Sequence, residues 1–129
     1  VDNNVERKMC SFCGVQGRQG LRFAGGLGAM MCEGCVADYH RVFETPAEAV
    51  EAARPPWEAM SDADILGQLP RIENTARQVN EFLVEWVELA RSRKLSWAEI
   101  GKAFGTSRQA AWERFAQRVD GRNDRSEIA

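Results

Sequence analysis

Leu95-Ser96-Trp97-Ala98-Glu99-Ile100-Gly101-Lys102-Ala103-Phe104-Gly105-Thr106-Ser107-Arg108-Gln109-Ala110-Ala111-Trp112-Glu113-Arg114-Phe115 divides at Gly105 into two short helical patterns. Ser96 precedes an apolar-periodic run and has Glu99 three residues on, so hydroxyl and carboxylate can each accept from the other residue's amide; this capping box starts a helix at Trp97. Ile100, Ala103 and Phe104 are spaced to share its inner face, and Gly105 supplies the left-handed residue that ends it. Thr106 or Ser107 can cap a second helix in which Ala111 and Phe115 face inward. Small Gly101 and Ala111 allow the two helices to cross closely. The pattern is that of a helix-turn-helix.

A second helix of this kind presents its first turn to the major groove of DNA. Thr106 and Ser107 lie at its start, with Trp112 one turn further on. Arg108 can donate bidentately to guanine and Gln109 can pair with adenine. Arg114 and Arg118, lower on the helix, are placed for phosphates. The stretch SWAEIGKAFGTSRQAAWERF resembles the sigma-factor-like helix-turn-helix of bacterial transcription regulators over about twenty residues. That resemblance implies double-stranded DNA as a partner and leaves the bound sequence open.

At the other end, Cys10-Ser11-Phe12-Cys13 and Cys32-Glu33-Gly34-Cys35 form two C-x2-C pairs. Each pair can bite one metal ion from a tight knuckle, and the spacer is long enough to bring the second pair into a tetrahedron. The spacing points to one structural zinc ion per chain held by Cys10, Cys13, Cys32 and Cys35, with no position left for catalysis. Two disulfides are the competing reading, disfavoured by the absence of an export signal. An iron–sulfur cluster is rarer for this spacing. His40 is expected on the surface, since four thiolates already complete the shell.

Between the pairs, Leu21–Ala24 and Ala29–Met31 read as two short strands around Gly25–Gly28. A helix from Val36 to Phe43 follows, with Cys35 at its start. So little core implies that the metal supplies much of the folding energy. Leu21, Phe23, Leu27, Met30 and Met31 exceed what one hairpin can bury, which points to a dimer face.

The residues CSFCG, LRFAGG and MCEGCV are similar to the N-terminal four-cysteine zinc-binding domain of ClpX, the unfoldase of the Clp protease, over about residues 9–43. The resemblance implies a small treble-clef-like module that forms homodimers and grips protein partners. No G-x-x-x-x-G-K-[ST] phosphate loop occurs anywhere, so the unfoldase activity does not carry over.

The fold expected is therefore mainly α: a zinc module with a β-hairpin and helix (1–43), an acidic proline-containing linker (44–60), a helical helix-turn-helix domain (61–119) and a polar, fraying tail (120–129). In the linker a short helix with Pro46 in its first turn is ended by Pro55 and Pro56. A further short helix should stop before Pro70. The longest helix then covers 71–94, with Ile72, Ala76, Val79, Phe82, Leu83, Trp86, Leu89 and Ala90 as its core stripe. Val84 and Val87 lie off that stripe; ordinary exposed valines are expected, with a second contact surface as the alternative.

With 44% apolar and 28% charged residues the 129-residue chain has an ordinary globular composition, which argues against wholesale disorder. No apolar run is long enough to span a membrane, and a cytoplasmic, nucleoid-associated protein is expected. The net charge of −2 argues against indiscriminate coating of nucleic acid. Residues 44–70 carry net −5, whereas 71–129 carry net +2. That thin positive footprint makes one copy a weak DNA binder and a homodimer on an inverted repeat the better reader. No nucleophile–base constellation is present, so no enzyme is expected. The alternative is a Clp-system adaptor that binds protein partners through its zinc module.

Overall fold

The computed structural model describes residues 5–54 and 56–128. Among them it is mainly helical, with one small antiparallel hairpin beside the cysteines. After a 3-10 turn at Val5–Arg7, strands β1 (Phe23–Gly25) and β2 (Met30–Cys32) pair antiparallel, with Phe23 opposite Cys32 and Gly25 opposite Met30. Helices α1 (Glu33–Phe43) and α2 (Pro46–Ala52) follow, then a 3-10 turn at Pro56–Ala59. Next come α3 (Asp62–Ser92), α4 (Trp97–Phe104) and α5 (Arg108–Ile128). No helix of the described residues is long and apolar enough to cross a membrane. The chain forms two compact units, one reaching to Val79 and the other beginning at Asn80, so the division falls within α3 rather than in the acidic segment 44–60.

In the first unit, buried Cys10, Cys32 and Cys35 form the centre, with Val15, Leu21, Phe23, Met31 and Tyr39 packed around them. The helix after the second cysteine pair starts at Glu33, three residues before Val36, because the Cys32 sulfur itself accepts the Cys35 N–H and acts as N-cap. Gln78 on α3 closes this unit from a distance in sequence. Its Oε1 accepts the Met9 N–H at 2.9 Å and its Nε2 donates to the Met9 carbonyl at 3.0 Å, so both backbone groups of one residue are satisfied by one amide.

Pro70 lies inside α3 and does not end a helix there. A proline removes one ladder bond and crowds the carbonyl four residues back. Helix propagation on both sides outweighs that single loss, since each added residue contributes a hydrogen bond without a new nucleus.

The second unit is built on Val84, Val87, Trp97, Ile100, Ala111, Phe115, Ala116 and Val119, with Leu83 and Ala90 packed against them. This corrects the stripe expected on α3. Val84 and Val87 are 0% and 4% exposed, whereas Ile72 and Trp86 are 62% and 54% exposed. Helical periodicity allows two overlapping faces here. The face chosen is the one whose valines join Trp97, Ile100, Ala111 and Phe115 in one buried cluster. On α4 the inner face is Trp97, Ile100 and Gly101, not Ile100 with Ala103 and Phe104. Phe104 stays partly exposed and stacks on Phe115 at 5.4 Å between ring centres.

Two caps end α3 and α4. At the end of α3, Lys94 takes a left-handed conformation (φ 67°) and the Leu95 N–H donates to the Ala90 carbonyl at 3.1 Å. At the end of α4, Gly105 does the same (φ 71°), and the Thr106 N–H donates to the Gly101 carbonyl at 2.8 Å. Both are Schellman closures, which satisfy carbonyls that the helix leaves open. Helix α5 continues through 120–128, where the glycine-broken sequence predicts fraying.

Candidate metal centre and α4–α5 surface

All four cysteine sulfurs lie within 4.8 Å of one another. The Cys10 and Cys35 sulfurs are 3.7 Å apart, as are those of Cys13 and Cys32. Four thiolates bound tetrahedrally at about 2.3 Å would stand about 3.8 Å apart, so the cluster has the spacing to hold a metal ion. No disulfide joins the four.

The backbone prepares these sulfurs for negative charge. The amides of Phe12, Cys13 and Cys32 each donate to the Cys10 sulfur at 3.4 Å. Burial works to raise the pKa of Cys10, but the Cys13, Cys32 and Phe12 N–H groups outweigh it and lower the thiol to about 6. Burial pushes Cys13 and Cys35 the other way, and for Cys35 the neighbouring thiols add to the effect. One thiol is therefore poised as a thiolate while two hold their protons until a cation replaces them. Arg22 and Glu33 tie β1 to α1 beside the cluster, with the Arg22 Nε and Nη2 donating to one carboxylate oxygen at 3.1 and 3.0 Å. His40 is exposed and paired with Glu44, outside the thiol cluster.

Of the five apolar residues expected to form a dimer face, Leu21, Phe23 and Met31 pack against the thiols of their own chain. Met30 is half-buried, and Leu27, at the hairpin tip, is 87% exposed. Tyr39 of α1 and the sulfur cluster supply part of the cover for these side chains.

On the second unit, the Ser107 hydroxyl accepts the Ala110 N–H at 3.0 Å and caps α5. Thr106 Oγ1 turns back toward the Gly101 carbonyl at 3.5 Å. Arg108 and Gln109 are exposed in the first turn of α5, and Trp112 is exposed one turn further on. No acid lies in that first turn, so neither a carboxylate nor an offset to the helix dipole weakens the positive end. Gln109 Nε2 donates to Glu113 at 3.0 Å, an i, i+4 pair that orients its amide. Arg114 lies over the rings of Phe115 and Phe104, at 4.7 and 5.5 Å. Arg118 is paired with Glu81 of α3 and so braces the fold. Neither Glu113 nor Glu81 was singled out by the sequence. The i, i+4 spacing to Gln109 could have flagged Glu113, whereas the Glu81 pairing depends on how α3 meets α5.

No family model, curated protein or solved structure matches the chain. What the geometry defines is a mainly helical protein with a four-cysteine cluster able to hold a metal ion.

Proposed function

We propose that the chain is a sequence-specific DNA-binding transcription regulator, active as a homodimer and stabilised by one structural zinc ion. The observation that carries this reading is the first turn of α5, where Arg108 and Gln109 face solvent beyond the Schellman turn at Gly105, with Trp112 beside them. In a helix-turn-helix those are the positions that reach base edges. Thr106 and Ser107 lie where backbone and hydroxyl groups meet phosphate, and Arg114 supplies charge further along the helix. Arg118, held by Glu81, can reach a phosphate only by exchanging that partner.

Zinc fits the cluster better than the alternatives because four close thiolates at this spacing match its tetrahedral preference. With all four positions filled by protein, the ion would hold the module together and supply no chemistry of its own.

Random-oligonucleotide selection tests the reading. An enriched motif whose affinity falls with salt is expected. Arg108→Ala should cost about 1–3 kcal/mol at one contacted base pair. Selection that enriches nothing would remove the DNA reading.

A second reading, a protein-binding adaptor of the Clp type, draws on exposed Leu27 at the hairpin tip. It predicts no oligonucleotide enrichment and co-purification with a Clp component that Leu27→Asp abolishes.

A further inference from the structure

An open apolar groove of about 220 Å³ lies between α3 and α4 in the second unit, lined chiefly by Leu83, Trp86, Ala90, Leu95, Ala103 and Phe104. Its one acid, Glu99, is already engaged, its carboxylate accepting the Ser96 N–H at 2.7 Å. A groove without a convergent polar group suits an apolar helix face rather than a polar small molecule. Trp86 stands at its edge with more than half its surface in water, an unusual position for the residue type that contributes most to protein interfaces.

We infer that this groove is the homodimer face, occupied by α3 of a second copy running antiparallel to the first. Two features of α3 make it complementary to its own reverse. The first is size: Trp86 and Ala90 are one turn apart, so an antiparallel pair centred between them sets each large ring over the small alanine of the other copy. Both rings then lie against Leu83, Leu95 and Phe104 of the facing groove. Alternation of large and small side chains across a two-fold axis is what an isologous contact requires.

The second feature is charge. From Asn80 to Ala90 the helix carries Glu81, Glu85 and Glu88 and no base, whereas Arg91 in its last turn and Arg93 and Lys94 just past its end at Ser92 are basic, with no acid among them. With Trp86 over Ala90, antiparallel pairing places Glu85 level with Arg91 and within a turn of Arg93 of the second copy, while Glu88 falls on the two-fold axis and Glu81 stays with Arg118 of its own chain. A parallel pair would set acid beside acid and base beside base. Charge therefore selects the antiparallel register, and burial of the ring supplies the affinity.

This inference rests on the homodimer of the proposed function but needs no DNA for its test: a monomeric chain would remove the dimer from both, while oligonucleotide selection alone decides the DNA reading. Sedimentation of the metal-loaded full chain over a concentration series, without nucleic acid, is the measurement. Wild type should show a reversible monomer–dimer equilibrium. Trp86→Glu should weaken it about a hundredfold or more, the scale of losing an aromatic anchor. Glu85→Lys should weaken it less, and adding Arg93→Glu should restore it. Leu27→Asp at the hairpin tip should leave it unchanged. All these positions are exposed, so the helical circular dichroism of each variant should match wild type. A wild-type chain that is monomeric throughout, a Trp86→Glu dimer as tight as wild type, or loss of the dimer in Leu27→Asp would each overturn the inference.

Discussion

A Cβ placed on Gly101 would sit 2.7 Å from the carbonyl oxygen of Ser107 and 3.0 Å from that of Thr106. The start of α5 is thus pressed onto the middle of α4 by backbone, with no room for a methyl group. Backbone carbonyls cannot swing aside as a side chain could. Gly101→Ala should therefore destabilise the second unit by about 1–3 kcal/mol despite alanine's better helix propensity. Chemical unfolding followed by tryptophan fluorescence measures this, and a neutral or stabilising result would show that the α4–α5 approach is looser than described.

Ser96 and Glu99 form a reciprocal capping box, the Ser96 hydroxyl accepting the Glu99 N–H at 3.1 Å and the carboxylate accepting the Ser96 N–H at 2.7 Å. Ser96→Ala should cost about 1 kcal/mol. The Ser96 N–H holds Glu99 below the usual carboxylate range. A depressed carboxylate contributes stability above its unfolded pKa and loses it as pH falls through its folded one. Melting temperatures of wild type and Glu99→Gln should accordingly differ at neutral pH and converge in acid below that range.

The buried valines of α3 give a direct comparison. Val84→Ala, at a fully buried site, should cost about 2 kcal/mol. Ile72→Ala, on the stripe that faces water, should stay within about 0.5 kcal/mol of wild type. Equal effects at the two positions would restore the stripe expected from periodicity alone.

Metal binding should release protons, because Cys13 and Cys35 hold theirs above the ordinary thiol range while Cys10 is already lowered to about 6. Zinc titrations in two buffers of different ionisation enthalpy should show proton release at neutral pH, with apparent affinity rising as pH rises. Cys10→Ser should lower the metal content, and a chelator should remove the circular dichroism of the hairpin and α1. A module that keeps its fold after chelation would show that its apolar shell suffices.

Lys94 carries the left-handed backbone that glycine adopts without strain. Lys94→Gly should stabilise the second unit by about 1 kcal/mol by relieving that strain. Thermal melts of the variant check it, and an unchanged or lower melting temperature would place other interactions of Lys94 above the backbone term.

Local chemistry determined a good deal of this protein by itself. The capping box at Ser96, the glycine turn at Gly105, the cap at Ser107 and the two cysteine knuckles each depend on residues a few positions apart, so their geometry follows from short-range hydrogen bonds. Tertiary structure decided what local patterns leave degenerate. A 31-residue helix offers more than one apolar face, and only the meeting with α4 and α5 selected Val84 and Val87 over Ile72 and Trp86. Proline at position 70 breaks a helix in isolation, yet the turns on either side carried α3 through it. Gln78 reached Met9, and Glu81 reached Arg118, across separations that no periodicity encodes. Those partners were set when side chains competed for burial and for hydrogen bonds in three dimensions.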